Sequence, residues 1–354
     1  MGYTAYIFPG QGSQYVEMGL DLYNKYESAK AVFDRADEVL GFPLSKLCFE
    51  GPEDELTLTV NAQPALLVTS LAVLAAVRES APEALPAPEF MAGHSLGEYT
   101  ALTAAEALDF DTAVSLAQER GRLMYEAGLE RPGAMAAVIG MSRELLAEIC
   151  AETGAFIANL NCPGQIVISG VKDSVMKAAK LAKERGAKLA VQLQVSGAFH
   201  SPLMRSAADG LKESIQKLPF IGSMTRAVEA VREGVSFNIQ SNASFGVMAE
   251  GAHMERIREA VKGSLISAPR IPVIGNTAAQ VLSTAEMVQD ELLEQVCSCV
   301  QWEDTIKYLL SQGVDNFIEI GPGEVLTGLV QRISDDVTTM SIGDCDAIEA
   351  LKAQ

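Results

Sequence analysis

Ser95 lies between two glycines in the segment GHSLG, residues 93–97. This G-x-S-x-G pattern is typical of a tight turn from a strand into a helix, in which the glycines permit a strained backbone and the serine hydroxyl is exposed. The pattern alone is weak, so its context decides the interpretation. A β-type run at residues 89–92 precedes it and a helix-like run at residues 98–105 follows it. This context predicts a nucleophile and not merely a small residue in a turn.

A serine hydroxyl is a poor nucleophile without a base, and the chain has three histidines. His94 is adjacent to Ser95 at a strand end, where neighbouring side chains point in different directions, so we expect it to support the turn. His200 lies in the small-residue loop SGAFHSPLM, from which a side chain can project freely. His253 is interpreted as structural or surface-exposed. His200 is therefore the candidate base.

The composition limits the partners that the protein can have. A formal charge of −19 opposes nonspecific binding to nucleic acid and anionic membranes, because both are polyanions. The six cysteines are scattered without a Cys-x-x-Cys pair, so we expect free thiols and no metal site. No apolar run reaches the length of a membrane span, and the opening residues do not resemble a signal peptide. We therefore expect a cytoplasmic protein.

Short β-type runs that end in glycine-rich turns alternate with longer helical runs. Examples are residues 4–8, 89–92 and 316–320, and this alternation predicts an α/β fold with a largely parallel sheet. Loops at the carboxyl ends of such strands usually carry the site. Between residues 133 and 195 the sequence instead suggests four short strands and two helices, which predicts a small ferredoxin-like α+β subdomain.

Four separated motifs, IFPGQGSQ, GHSLGEYTAL, GAFHSPLM and EIGPGEVLTGL, together with NAQPALL and QERGRLM, resemble those of the malonyl-CoA:acyl-carrier-protein acyltransferase family. The acyltransferase domains of polyketide synthases are similar. The resemblance implies an α/β-hydrolase-like domain at residues 1–127 and 199–354, with the small subdomain at residues 128–198. It also implies transfer of malonyl from malonyl-CoA to acyl carrier protein for fatty acid synthesis, by a monomer without a bound cofactor.

The resemblance assigns Ser95 as the nucleophile and His200 as its base, in a dyad without an acidic third member. The histidine would be oriented by the backbone carbonyl of Gln295. The N–H groups of Gln11 and Leu96 would form the oxyanion hole. The residues themselves agree with this, because Gln11 follows a strand in a glycine-rich loop and Leu96 follows the nucleophile.

The resemblance also implies that Arg120 binds the free carboxylate of the malonyl group, for which a planar two-pronged cation is suited. On a helix, Arg120 would share a face with Ala113, Ala117 and Met124. A surface arginine paired with a neighbouring acid is the alternative.

Gln63 and Asn161 correspond to polar residues that line the family's cleft, although both could be turn or cap residues. Phe199 would crowd a branched acyl group and so favour malonyl over methylmalonyl.

Two features depart from the family. Cys299 stands where the family commonly has proline, which could shift the carbonyl that orients His200. Residues 221–269 form an insertion. His200 and a predicted strand at residues 271–276 are separated by roughly 45 more residues than in the family pattern, which is close to the offset of a weak internal repeat. In that repeat residues 182–192 correspond to 230–240 and residues 204–215 to 254–265. The insertion is a hypothetical duplicated helix–strand–helix unit, with chance similarity as the alternative.

Three other functions remain open on the sequence. A discrete acyltransferase of a polyketide pathway would use the same residues. A serine thioesterase would share Ser95, His200 and the oxyanion hole but pass the acyl group to water. A noncatalytic scaffold that binds carrier protein would need the insertion to block the cleft.

Overall fold

Ten β-strands form two separate sheets in the computed structural model, which describes residues 2–195, 197–216 and 266–353. The strands are β1 (Tyr3–Phe8), β2 (Phe90–Gly93), β3 (Gly133–Ile139), β4 (Phe156–Cys162), β5 (Gln165–Val171), β6 (Leu189–Gln192), β7 (Val273–Ile274), β8 (Val281–Leu282), β9 (Val314–Ile320) and β10 (Thr338–Ile342).

The helices pack on both sheets. They are α1 (Leu20–Lys25), α2 (Glu27–Leu40), α3 (Leu44–Glu50), α4 (Glu53–Thr57), α5 (Thr59–Ser80), α6 (Gly97–Ala104), α7 (Phe110–Glu130), α8 (Arg143–Thr153), α9 (Lys172–Glu184), α10 (Ala285–Glu294), α11 (Trp302–Ser311), α12 (Val325–Ile333) and α13 (Cys345–Lys352). Residues 205–216 are also helical.

The large sheet has the strand order β10-β9-β1-β2-β7-β8, and every pair in it is parallel except β7 with β8. Strand β1 is central, and five of its six residues are buried, as expected for a parallel sheet that is covered on both faces. The carboxyl ends of β1, β2 and β9 lie along one edge. The predicted parallel α/β sheet is confirmed.

The predicted strand at residues 271–276 is shorter in the structure, where β7 contains only Val273 and Ile274. Pro272 has no N–H to donate to a neighbouring strand. At the other end, Asn276 leaves the strand and hydrogen-bonds across to the backbone carbonyl of Gly93. The strand ends early because Asn276, the last residue of the predicted strand, hydrogen-bonds to the serine turn instead of to a neighbouring strand.

The small sheet is antiparallel, in the order β4-β5-β3-β6, and it packs on α8 and α9 around its own hydrophobic core. This arrangement confirms the ferredoxin-like prediction. The predicted boundary at residue 128 falls within α7, which ends at Glu130. The division into residues 1–127 with 199–354 and residues 128–198 remains a prediction.

A short backbone bridge joins the small sheet to the large domain at Val300. The N–H of Val300 donates to the carbonyl of Ala158 at 2.8 Å, and the N–H of Leu160 donates to the carbonyl of Val300 at 2.9 Å. These two bonds pair Val300, in the segment before α11, with Asn159 of β4 in a single parallel bridge. They fix the small sheet beside the carboxyl edge of the large one.

Helix α5 corrects one expectation. It is 22 residues long with a mean hydropathy of 1.7, so its length and composition would allow it to cross a membrane. Its Thr, Ser, Gln and Asn side chains interrupt the apolar run without adding charge. However, 83% of its most apolar stretch is buried inside the protein, as in the core helix of a globular domain.

All six cysteines are free thiols, as predicted. The insertion lies mostly outside the described residues, and so do residues 230–240, residues 254–265 and His253, so the duplication hypothesis remains a prediction. The described part resumes at Ile266, which forms an antiparallel bridge with Leu108.

The turn between β2 and α6 has no room for a side chain at either glycine of the GHSLG motif. A Cβ atom on Gly93 would lie 1.9 Å from the carbonyl carbon of Gly97. A Cβ atom on Gly97 would lie 2.1 Å from the backbone oxygen of Phe8. The close approach of α6 to β1 and β2 therefore requires glycine at both positions.

We predict that Gly97→Ala lowers the free energy of unfolding by about 2 kcal/mol or more, because the new methyl group meets backbone that cannot move aside. Gly328→Ala is the matched control, since Gly328 lies in α12 with no atom within 4 Å of the new methyl group. The control should gain roughly 0.5–1 kcal/mol from helix propensity. Denaturant unfolding of both variants measures the difference, and equal stabilities would contradict the prediction.

Candidate active site

Ser95 has a left-handed backbone conformation, with φ of 53°. Few residues other than glycine adopt this region, and here it marks a strained turn that presents the hydroxyl. The N–H of Ser95 donates to Oδ1 of Asn276, two residues after β7, at 2.7 Å, and this hydrogen bond stabilises the turn. Ser95 Oγ lies 2.7 Å from Nε2 of His200. The structure thus brings together the nucleophile and base that the sequence predicted.

His200 is buried, with 5% of its surface exposed. Its Nδ1 lies 2.9 Å from the backbone oxygen of Gln295. A carbonyl only accepts, so Nδ1 carries the proton and the Nε2 lone pair faces the serine. Cys299 stands where the family commonly has proline, and the contact between His200 and the carbonyl of Gln295 is nevertheless present. In the pair formed by Ser95 and His200, the carbonyl of Gln295 occupies the place that a carboxylate has in a catalytic triad.

Burial is the largest cause that lowers the pKa of His200 to about 3, and the nearby charge of Arg120 is the second. Both disfavour the imidazolium ion. The histidine is therefore neutral at neutral pH and able to accept a proton from Ser95.

Arg120 is 1% exposed, so its guanidinium is inside the protein. Nη1 donates to Oε1 of Gln63 at 2.5 Å, and Nη2 donates to Oε1 of Gln295 at 2.7 Å and to Oγ of Ser95 at 3.1 Å. Its charge also lies over the ring of Tyr99, 5.5 Å from the centroid. A full positive charge therefore lies next to the nucleophile, held by neutral groups.

The ion pairs found among the described residues do not include Arg120. The neighbouring acids are paired elsewhere, Asp111 with Arg35 and Glu119 with Arg122. Burying an unpaired charge is costly unless something compensates it. The surface-arginine alternative therefore does not describe this residue, and the guanidinium is suited to an anionic group from outside the protein.

The two N–H groups expected for the oxyanion hole lie on adjoining segments. The loop that carries Gln11 packs tightly on the serine turn, since a Cβ atom on Gly10 would lie 2.3 Å from the oxygen of His94. Within the described residues, neither the N–H of Gln11 nor that of Leu96 donates to a protein acceptor. The side chain of Gln11 is instead fixed by Thr59, whose Oγ1 donates to Oε1 at 3.0 Å.

The other predicted residues have distinct environments. Gln63, on α5, is 1% exposed and contacts Arg120 as described above. Asn161 contacts the turn, with its Oδ1 3.0 Å from Nε2 of His94, so it supports the neighbour of the nucleophile. Phe199 is 5% exposed and belongs to the main hydrophobic core. Its role in excluding branched acyl groups remains a prediction.

Asn276 is a functional residue that the sequence analysis did not predict. Its Oδ1 accepts from the N–H of Ser95, its Nδ2 donates to the oxygen of Gly93 at 2.7 Å, and its N–H donates to Oε2 of Glu98 at 2.7 Å. One side chain therefore holds both ends of the serine turn. An asparagine at the carboxyl end of a strand was the available signal, because such ends collect at one sheet edge.

Glu98 was also missed. It is fully buried, and its Oε1 has no hydrogen-bond partner. Burial raises the pKa of Glu98 well above its ordinary value, and the nearby carboxylate of Glu291 raises it further. A raised pKa favours the neutral acid form, which limits the negative charge that Glu98 presents to Arg120.

Across residues 2–195, 197–216 and 266–353, no cluster of three His, Cys, Asp or Glu side chains could hold a metal ion. The chemistry available at the site is that of a neutral histidine, a serine and a buried cation. Such a set is suited to acyl transfer through a serine ester.

Comparisons with known proteins agree with one another. Residues 5–233 match the family model of the acyl transferase domain. The chain is 43% identical over 354 residues to the malonyl CoA-acyl carrier protein transacylase of Bacillus subtilis (strain 168), with 99% of this chain and 96% of that protein covered. It is 35% identical over 350 residues to the protein of the same name from Escherichia coli (strain K12), with 98% and 97% covered.

The crystal structure of an acyl carrier protein S-malonyltransferase from Vibrio cholerae superposes with a TM-score of 0.81 at 35% identity, covering 99% of this chain and 100% of that one. A malonyl-transacylase in complex with its type II PKS acyl-carrier protein superposes with a TM-score of 0.80 at 34% identity, with 99% of both chains covered. By fold and full-length similarity, the chain belongs to the acyl transferase family of the malonyl CoA-acyl carrier protein transacylases.

Proposed function

We propose that this protein transfers the malonyl group of malonyl-CoA to the phosphopantetheine thiol of an acyl carrier protein, for fatty acid synthesis. The observation that carries the proposal is the buried guanidinium of Arg120, which lies 3.1 Å from Ser95 Oγ and lacks an ion-pair partner among the described residues. A hydrolase of simple esters has no need of such a cation. A malonyl thioester has a free carboxylate close to its reacting carbonyl.

In the first half-reaction, His200 Nε2 takes the proton of Ser95 Oγ, which attacks the thioester carbonyl. The negative charge that develops on the carbonyl oxygen is stabilised by the N–H groups of Gln11 and Leu96. The tetrahedral intermediate then expels CoA as its thiol, which receives the proton from His200. The product is a malonyl ester of Ser95.

In the second half-reaction, the thiol of the carrier protein attacks the ester while His200 takes its proton. The same oxyanion donors act again, and His200 returns the proton to Ser95 Oγ as the ester bond breaks. Throughout, Arg120 binds the malonyl carboxylate through its charge and the N–H groups that its protein partners leave free, which both selects the acyl group and orients its carbonyl.

The bound carboxylate also affects the base. The charge of Arg120 lowers the pKa of His200, so pairing that charge with an acyl carboxylate offsets part of the effect. His200 thus becomes more basic once the correct substrate is in place. We propose that the protein acts in the cytoplasm as a monomer, with malonyl-CoA and carrier protein as its partners and without a bound cofactor.

A polyketide pathway is a second candidate setting, because a solved relative is bound to a type II PKS acyl-carrier protein. The reacting groups would be the same in both settings. Only the carrier protein that receives the malonyl group differs, so rates with carrier proteins from the two kinds of pathway distinguish them.

We predict that brief exposure to malonyl-CoA alone adds the mass of one malonyl group to the protein and releases one CoA. Ser95→Ala should gain no adduct, because it lacks the attacking oxygen. Intact-protein mass spectrometry measures the adduct, which holo carrier protein should then remove. Release of CoA without an adduct would indicate a thioesterase, and no release at all would indicate a noncatalytic scaffold.

We predict that Arg120→Ala lowers kcat/KM for acylation by malonyl-CoA by roughly 10²- to 10³-fold, because the acyl carboxylate loses a buried partner. Acylation by acetyl-CoA, which has no free carboxylate, should fall less than about tenfold. Arg122→Ala is the control, since Arg122 lies on the same helix but pairs at the surface with Glu119 and Glu126. Equal losses for the two acyl groups in Arg120→Ala would exclude the carboxylate role.

We predict that the acidic limb of the acetyl-CoA acylation rate lies well below pH 6.5, the ordinary pKa of histidine. The reason is that neutral His200 is the active form and its pKa is lowered, so activity persists as the pH falls. Removing the charge of Arg120 should move the limb to higher pH. Initial rates between about pH 4 and about pH 8 for the parent and Arg120→Ala test this. A parent limb near pH 6.5 would contradict it, and circular dichroism checks that the fold persists.

A further inference from the structure

We propose that the side chain of Gln295 is a specificity-determining positioning residue, which holds Arg120 in place for an acyl carboxylate and ties it to the backbone of the nucleophile. This inference rests on the proposed function. It concerns the side-chain amide, which is separate from the backbone carbonyl that orients His200.

The amide of Gln295 links the cation to the serine turn. Its Oε1 accepts from Nη2 of Arg120 at 2.7 Å, and its Nε2 donates to the backbone oxygen of Ser95 at 2.9 Å. The same Nη2 also donates to Ser95 Oγ at 3.1 Å. The guanidinium is therefore positioned relative to Ser95 in two ways. It contacts Ser95 Oγ directly, and the amide of Gln295 contacts both residues.

Gln295 is well placed to be rigid. It is fully buried and it caps the carboxyl end of α10, where its N–H donates to the oxygen of Glu291 at 2.8 Å. Its backbone oxygen is used by His200 at 2.9 Å. Because backbone and side chain are both engaged, any movement of the amide would also disturb the base or the turn.

The choice of an amide has an electrostatic reason. A carboxylate at this position would pair with Arg120 and compete with the substrate for its charge. An amide oxygen fixes the direction of the N–H donors without neutralising them. Gln63 does the same from α5, with its Oε1 2.5 Å from Nη1. Two neutral acceptors thus hold opposite ends of the guanidinium and leave its charge for the acyl group.

The test compares Gln295→Met with the parent protein. Methionine keeps the backbone carbonyl for His200 and a similar volume, but it removes both side-chain hydrogen bonds. The measured quantity is the ratio of kcat/KM for acylation by malonyl-CoA to that by acetyl-CoA. We expect this ratio to fall about 10- to 100-fold, because only the malonyl group uses the position of Arg120. Loss of the bond to the Ser95 oxygen affects both substrates and cancels in the ratio.

Gln301→Met is the matched control. Gln301 lies six residues further on in the sequence, is partly exposed, and donates from Nε2 to the oxygen of Thr277 without contacting Arg120. Its ratio should equal that of the parent. If Gln295→Met does not fold, Gln295→Asn replaces it, because asparagine keeps the amide but is too short to reach both partners.

A second readout separates positioning from general damage. The acidic limb of the acetyl-CoA rate should move less in Gln295→Met than in Arg120→Ala, because the variant keeps the charge of Arg120 and the carbonyl that holds His200. An unchanged ratio, or equal losses for both acyl groups, overturns the proposal. Failure of the parent itself to form a malonyl adduct would instead refute the proposed function, so the two failures are distinguishable.

Discussion

The strained turn at Ser95 is the constraint on which the rest of the site depends. A left-handed residue other than glycine is unfavourable by itself, and it persists only where its surroundings determine it. Here Asn276 binds both the N–H of Ser95 and the oxygen of Gly93, while Gln295 binds the oxygen of Ser95. The strands β2 and β7, which are followed by the serine turn and by Asn276, are direct neighbours in the parallel part of the sheet. The backbone conformation of Ser95 therefore depends on the pairing of neighbouring strands in the sheet.

The electrostatics of the site follow from keeping a cation buried among neutral groups. The partners of Arg120 are two amide oxygens and one hydroxyl, and the buried acid near it, Glu98, has a raised pKa. This positive charge lowers the pKa of His200 and is suited to an anionic group. In the proposed function, the same charge therefore contributes to selection of the substrate and to the protonation state of the base. Base, nucleophile and cation all contact Gln295.

The small sheet contributes a support to this arrangement. Its strand β4 is joined to the large domain through Val300, and the next residues of that strand bring Asn161 to His94. His94 is thus held on one side by the small sheet, while its backbone oxygen faces the loop of Gln11. The serine turn lies where the two sheets meet. The contacts of the turn therefore come from residues of both sheets and the segments that follow their strands.

The sequence by itself determined the elements and the principal residues. Glycines on both sides of Ser95, a strand before it and a helix after it identified the turn, and a histidine in a small-residue loop identified the partner. These are local signals, because turn chemistry and the alternation of strands and helices depend on neighbouring residues. The resemblance to a known family added Arg120 and the carbonyl of Gln295, which the local pattern alone could not distinguish from a surface arginine and a loop residue.

Only the tertiary structure decided which polar groups meet. Asn276 is 181 residues from Ser95 in the chain, and Gln295 is 175 residues from Arg120, so no local pattern connects them. The short extent of β7 and the burial of α5 were likewise decided by packing between distant segments. The sequence specifies groups that can react, and the sheet brings them to one edge. The physical reason is that hydrogen bonds and desolvation act over a few ångströms of space, regardless of separation along the chain.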